Sequence, residues 1–470
     1  MSDIGSNNTG NIFFSSFPKE RVVNALQNPQ KNEQLLKNLS NFLYVISPHY
    51  RRLCNYYAEM PTFDYYIEPY KLNTSKVNIK TFKKAYDKTL QLLDNMNIKH
   101  EMLRCLQVVF REGIFYGYEH STDDSYFIQK LDSDYCRISG VEDGVFVFQF
   151  NFGYFEFDES RLDNFAPEFQ SMYNKYKNSR QSRGKDKEDL QWQELPSDKS
   201  ICIKADESIL FPFPPFVGVL LDIYEIEDYK KLKKAKSEMQ NIAILSGTVP
   251  TNDKSNAAND FKIDLDTAVA FGNKIIEQLP EQVGFILSVY DDMKLFKLDD
   301  DKVGTDKVEE AIRNFWSAAG VSKNLFADNS DTDAALKQSI IADEQSVFAI
   351  LRQIERWINR KLKFESGKYK FKINILDITR FNKKEKVAEE LKAAQFGLPN
   401  RIRLASSMGI SQSSIESMKF LEDLLDIPHS WIPLSSSHTS SEVDSPTAGE
   451  KGRPKSDSKD TKTDDGGDEE

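Results

Sequence analysis

Cysteine and histidine are scarce, and the few present are scattered. Cys54, Cys105, Cys136 and Cys202 lie 51, 31 and 66 residues apart, which offers no CxxC pair and no zinc-ligand spacing. Free, buried thiols are the expectation. His49, His100, His120, His429 and His438 form no HExxH, so neither a metal site nor a cofactor is predicted. There is no GxxxxGK[ST] phosphate loop, because Gly367-Lys368-Tyr369 lacks both the earlier glycine and the hydroxyl; nor is there a GxSxG elbow or a glycine-rich dinucleotide turn. No stretch approaches the ~18 consecutive apolar residues of a membrane span. The start, Met1-Ser2-Asp3-Ile4, is polar and lacks the charged-then-apolar order of a signal peptide. A protein made and kept in a cytoplasm, with no membrane partner, is expected.

Positive charge is in deficit as well. The formal charge of −11 argues against a static nucleic-acid binder, which normally neutralises phosphates with a basic surface. It leaves room for DNA that slides past, since an acidic or neutral wall avoids contacts that would hold the duplex. Residues 441–470 carry 10 acidic and 5 basic side chains, and from Ser435 onward almost nothing is apolar, so 435–470 is predicted to be a disordered acidic tail. Paired carboxylates at Asp123-Asp124, Asp291-Asp292 and Asp299-Asp300-Asp301 are the only arrangement with enzymatic potential, as a Mg²⁺ site for phosphoryl transfer. Each falls in an expected turn, where aspartate bonds its own backbone, and that reading is preferred. The chain is expected not to be an enzyme.

What is present is a long chain rich in aromatics, 32 Phe and 19 Tyr in 470 residues, enough for several cores. Residues 1–100 read as helical, with Leu36, Leu39, Phe42, Leu43 and Ile46 on one face. From 106 to 157 the period changes to two, and Glu142-Asp143-Gly144 marks a hairpin turn in an antiparallel sheet of three or four strands. A helix is expected over 161–176 and a strand over 200–204. Phe211-Pro212-Phe213-Pro214-Pro215-Phe216 cannot be helical. Helices follow at 222–245 and 266–278, joined by a polar excursion, and strands at 283–289 and 293–298.

The most informative stretch is 306–364. A short amphipathic helix runs into an apolar loop, and an uninterrupted helix of roughly 30 residues, on the order of 45 Å long, follows. Ile340, Val347, Leu351, Ile354, Ile358 and Leu362 recur at three, four or seven residues on it, while Arg352, Arg356 and Arg360 form a row four apart. A strand over 369–378, a helix over 383–396 and two short helices to 427 complete the ordered chain.

In that order of parts the chain resembles the portal proteins of tailed bacteriophages, the rings through which DNA enters and leaves the head. The residues that carry the resemblance run from Arg313-Asn314-Phe315-Trp316 through Gly320-Val321-Ser322-Lys323-Asn324-Leu325-Phe326 to Arg352-Gln353-Ile354-Glu355-Arg356-Trp357. Ile138-Ser139-Gly140-Val141, Pro214-Pro215-Phe216-Val217-Gly218 and Gly397-Leu398-Pro399 support it. The resemblance implies an α+β chain with a portal-like architecture. N-terminal helices and a wing sheet would occupy 1–221, a first stem helix 222–245, a clip 246–265 and a second stem helix 266–280. Wing return strands and a helix would follow at 281–320, a tunnel loop at 321–333, the long spanning helix at 334–364, and a strand with helical crown at 365–434.

It further implies a ring homo-oligomer, probably a dodecamer, at one capsid vertex of a virion assembled in host cytoplasm. Implied partners are double-stranded DNA passing through the channel, the terminase large subunit, scaffold and major capsid proteins, and a head-tail adaptor. Lys323, Asn324, Asn329 and Asp331 would face DNA from the tunnel loop, and Thr248, Pro250, Asn252, Asp253 and Lys254 would dock partners at the clip. Val347, Leu351, Ile354 and Ile358 would pack subunits. Lys230, Lys231, Lys233, Lys234 and Lys236 read as a solvated helix face in an isolated chain, and as a ring of charge if many copies surround an axis. Lys323 is the sole cation in its loop beside Asp328, Asp331 and Asp333, which favours passage of DNA over grip. A minor head or adaptor protein without a channel, or a Mg²⁺-dependent nuclease, are the alternatives.

Overall fold

A computed structural model describes residues 17–122, 125–181, 190–249 except 241 and 242, 260–278, 283–288, 303–321, 325, 333–365 and 367–427. Its elements in chain order begin with the helices α1 (Lys19–Gln27), α2 (Glu33–Ile46) and α3 (Pro48–Ala58). They continue with β1 (Tyr65–Tyr70), α4 (Ile79–Asn95), α5 (Ile98–Glu112), β2 (Ile114–Ser121), β3 (Tyr126–Lys130), β4 (Cys136–Glu142) and β5 (Val145–Asn151). Next come α6 (Pro167–Gln181), β6 (Trp192–Glu194), β7 (Ser200–Lys204), α7 (Leu220–Gln240), β8 (Ala243–Thr248), α8 (Leu265–Gln278) and β9 (Val283–Ser288). The last are α9 (Val303–Ala318), α10 (Asp333–Phe364), β10 (Lys370–Ile375), α11 (Lys383–Gln395), α12 (Arg401–Met408) and α13 (Gln412–Leu424). The chain divides into two units, 1–415 and 416–470; of the second, residues 416–427 are described, and they complete α13.

The predicted α+β class holds, but the strands are distributed differently. Instead of one sheet of three or four strands there are two three-stranded antiparallel sheets, ordered β3-β2-β7 and β4-β5-β6. The hairpin at Glu142-Asp143-Gly144 is as expected: Asp143 and Gly144 both have positive φ, the pairing a two-residue turn of the primed type requires. The aromatic faces of β2 and β5 meet the inner side of α6, with Tyr116 against Phe148 and Tyr118 edge-on to Phe169, each at 4.9 Å between centroids. Around them Phe150, Phe152, Phe155 and Tyr173 close a separate core.

Several expected boundaries shift. Residues 106–112 are the last turns of α5 rather than strand, because Met102, Cys105, Leu106 and Val109 recur at helical spacing and are buried. The helix ends at Gly113, whose φ of +82° suits glycine, and the Phe213 carbonyl lies where a β-carbon would stand. The Phe-Pro strap at 211–216 therefore packs directly on the α5-to-β2 corner. The tyrosine-rich run expected to lie in a helical subdomain holds β1, which pairs antiparallel with β10 across 300 residues of chain, Tyr65 opposite Ile375. The helix expected over 161–176 starts at Pro167, after a short 3₁₀ turn. The helix expected over 222–245 stops at Gln240. Ala243-Ile244-Leu245-Ser246-Gly247-Thr248 is instead a strand, paired in parallel with β9, and α8 makes the crossover that a parallel pair needs. A short apolar run bounded by Ser-Gly suits strand better than helix. The strand expected over 293–298 lies outside the described residues.

Helix α10 is the element that ties the chain together. Its 32 residues bury Val347, Ile350, Leu351, Ile354, Trp357, Ile358 and Leu362, and the helix packs on α3, β5, β7 and β10. Two of its side-chain amides cap strand edges. Gln353 accepts from the Lys204 backbone N–H at 3.0 Å and donates to the Lys204 carbonyl at 2.8 Å. Asn359 does the same for Ile373, at 2.8 and 2.9 Å. From α13, Gln412 repeats the arrangement on Ile67 of β1, at 2.7 and 3.2 Å. On each of three outer strands an amide thus satisfies the outward N–H and carbonyl of one residue, which closes that part of the edge to other chains. Gln353→Ala would leave a buried N–H and carbonyl of β7 unpaired, at about 1–3 kcal/mol each. Urea denaturation is expected to show a loss of that order, and Gln353→Glu to recover only the accepting half.

Candidate assembly surface

Helix α7 divides into two halves. Its first turns are anchored by Leu220, Ile223, Tyr224 and Ile226, all buried, and Tyr224 donates to the Phe17 carbonyl at 2.7 Å. Alongside, Ala311, Phe315 and Trp316 of α9 fill the same core, and the His49 ring lies 6.1 Å from both aromatics. Burial and the nearby Lys230 hold the His49 imidazole below its ordinary pKa. From Lys230 onward α7 leaves the core: Lys230, Lys231, Lys233 and Lys234 are exposed, Lys236 is half-buried and Leu232 is exposed among them. Lys230 pairs with Glu227 one turn back at 2.9 Å.

Helix α8 is apolar without being covered. Phe271 is 63% exposed, Ile276 53% and Val269 46%, and of the described side-chain positions in the helix only Gly272 is buried. An α-helix with that many bare apolar residues is poorly suited to water by itself. Leu391, Phe396, Leu398 and Ile402 on and around α11 and α12 are likewise exposed, as are Met418, Phe420, Leu421 and Leu424 in the second unit. These apolar side chains are uncovered in the single chain.

Of the residues singled out in the sequence, Lys323, Asn324, Asn329 and Asp331 lie outside the described residues, as do Pro250, Asn252, Asp253 and Lys254. Thr248 ends β8. Val347, Leu351, Ile354 and Ile358 are at most 1% exposed within the single chain. Their expected role in packing subunits is therefore corrected: the apolar row is consumed inside the chain, because sheets and helices distant in sequence close over it. The arginine row is paired within the chain, with Arg360 buried and Arg352 and Arg356 half-exposed. Arg352 pairs with Glu355 and Asp377, Arg356 with Glu207, and Arg360 with Glu142.

The carboxylate pairs at 123–124, 291–292 and 299–301 lie outside the described residues. Among the described residues no three His, Cys, Asp or Glu side chains are grouped to hold a metal, and no helix is long and apolar enough to cross a membrane. The four cysteines are free and buried. Burial pushes the Cys54 thiol up to about 12 and raises Cys105, Cys136 and Cys202 as well, so none is a thiolate nucleophile near neutral pH.

One acidic group was not legible in sequence. Asp343 of α10 is 6% exposed and accepts from the hydroxyls of Tyr56 and Tyr57, each at 3.0 Å, while the adjacent Glu344 accepts from Thr379. Burial lifts the Asp343 carboxyl above its ordinary value, against the pull of the two hydroxyls. The folded chain thus keeps this proton to higher pH than the unfolded chain. The contribution of Asp343 to stability therefore falls as pH rises from about 4, the unfolded value, through the raised folded value. Asp343→Asn keeps an acceptor for the tyrosines and removes the ionisation. Melting curves between about pH 4 and 7 are expected to fall less steeply for the variant, with equal or greater stability at neutral pH.

No family model matches the chain, and no curated protein matches it. Among solved structures it is similar to a chain from the virion of a native gene transfer agent particle, with 11% identity, a TM-score of 0.42, and coverage of 81% of this chain and 93% of that one. A likeness of that order establishes neither fold nor role.

Proposed function

We propose that this chain is the subunit of a portal ring, a non-enzymatic channel at one capsid vertex through which double-stranded DNA is packaged and ejected. The observation that carries this reading is α8: an apolar helix, bare in the single chain, standing next in order to an α7 whose outer half has left the core. They fall in the stretches, 222–245 and 266–280, where the resemblance carried by 313–357 implies stem helices, the first ending early at Gln240, and neighbouring copies around an axis would cover them. A heterologous contact of this kind closes into a ring by rotation.

In this reading the ring holds twelve copies in the virion and assembles in the host cytoplasm with scaffold and major capsid proteins. The region around 246–265 meets the terminase large subunit and later the head-tail adaptor, and the loop at 321–333 borders passing DNA. The lysines of outer α7 become a belt of charge along the stem. Negative-stain microscopy of the purified protein tests the reading: rings with a central opening are expected. Compact assemblies without an opening would instead favour a minor head or adaptor protein.

A further inference from the structure

Helix α13 is held at one end and bare along the rest. In its first turn Gln412 clamps Ile67 of β1, and Ser413 donates to the Asp94 carboxylate at 3.0 Å. From Ile415 to Asp426 every residue is exposed. Ile415, Met418, Leu421 and Leu425 recur at helical spacing and share one side, and the Leu425 N–H still bonds to the Leu421 carbonyl at 2.9 Å. A helix of 13 residues is marginal in water on propensity alone and draws its stability from packing on an apolar side. Glu422 stands among those apolar residues. Over 416–426 the charge is acidic, with Glu416, Glu422, Asp423 and Asp426 against Lys419, and Glu422 forms no ion pair with any described residue.

A second bare apolar surface, of opposite charge, stands at the turn between α11 and α12. Gly397, at a φ of +85°, closes α11, and the turn leaves Phe396 78% and Leu398 59% exposed, with Leu391 and Ile402 exposed on the flanking helices. The acids of α11 are already engaged: Glu385 lies 4.0 Å from Lys337, Glu389 pairs with Lys386 at 3.0 Å and Glu390 with Arg403 at 2.8 Å. Lys392 and Arg401, one on each side of the turn, are exposed and pair with no described residue. Lys384, also exposed, is at the far end of α11. The turn therefore keeps two unmatched cations beside its apolar side chains, where α13 keeps an unmatched carboxylate beside its own. We propose that α13 of one copy seats its apolar side on the α11–α12 turn of a second copy, with Glu422 against Lys392 and Arg401. The two halves differ and belong to one chain, so the contact is heterologous: each copy gives one half and receives the other, and one repeated contact covers both surfaces. It goes beyond the ring reading without depending on closure, since an open row of copies satisfies it equally.

The experiment is cross-linking between two differently tagged full-length chains, L398C and M418C, co-expressed and treated with a short bis-maleimide; the native cysteines are buried. A band of twice the chain mass carrying both tags is expected. F420C, on the opposite side of α13, should link poorly in place of M418C. Adding K392E/R401E to the L398C chain sets like charges against Glu422 and should lower the yield at least about tenfold, and E422K in the M418C chain should restore it. All the substituted residues are exposed, so every variant should melt with the wild type. Rings seen by microscopy without a link between the tags would overturn this contact and leave the ring reading standing. A link confined to single chains of the L398C/M418C double variant would place α13 on its own chain's turn and overturn it too. Linked pairs in the absence of rings would support the contact while the ring reading fails.

Discussion

Phe271→Asp combined with Ile275→Asp is expected to leave single chains of 54.0 kDa in place of the proposed ring, with the unfolding transition unchanged. Phe271 is 63% and Ile275 36% exposed in the single chain, so neither substitution opens a cavity in a monomer. At a subunit contact the same residues would bring a buried, unpaired carboxylate from every copy into an apolar seam. Such a charge costs several kcal/mol per site, and a closed ring repeats that cost at each interface. The separation of the two readouts is what makes the result informative. Disassembly with the melting temperature unchanged assigns α8 to the interface between copies; persistent assembly would move that interface elsewhere. Sedimentation velocity supplies the first readout and calorimetry the second.

Trp357→Ala is expected to cause the largest loss of intrinsic stability. The indole is 2% exposed and its N–H donates to the Ser200 carbonyl at 2.9 Å, immediately beside the Gln353 clamp on the same strand. Removing a buried tryptophan costs about 3–5 kcal/mol through the cavity it leaves, and the unpaired carbonyl adds to that. Against the 5–15 kcal/mol typical of a folded domain, such a change brings the chain close to its threshold, and poor soluble yield is the expected outward sign. Trp357→Phe keeps most of the ring volume and removes the hydrogen bond, so urea denaturation should show only about a third of the effect. A small effect from the alanine variant would mean that α10 is not the spine that the packing describes.

The parts of the fold visible in the sequence were those governed by local chemistry. Asp143-Gly144 announced its turn, Pro212 to Pro215 excluded helix, and the period of Val347, Leu351, Ile354 and Ile358 marked one face of α10. The partners of that face were not visible. An apolar stripe says that something covers it, and the covering elements here, β7 and β10, lie some 150 residues before and 10 residues after. The same blindness hid the pairing of β1 with β10, since Tyr65 to Tyr70 reads as strand or packed aromatic cluster equally well without its distant neighbour. It also hid the amide clamps: a glutamine in a helix has no sequence signal for which backbone it will meet.

Charge was legible in amount and misleading in place. The contiguous lysines of 230–236 drew notice because they adjoin, whereas Lys392 and Arg401 flank one turn only once α11 and α12 are formed. Conversely, the regular row of Arg352, Arg356 and Arg360 suggested a basic stripe, and each member proved to face a carboxylate from a different part of the chain. Spacing of four residues shows which side chains share a helix face; it cannot show what stands opposite.

The mass of the assembled wild-type protein is the most direct test of the ring, and mass photometry of the purified full-length chain measures it. Twelve copies of a 54.0 kDa chain give a single species of about 650 kDa, and that is the expected result. Single chains at high concentration, under every salt condition tried, would contradict it.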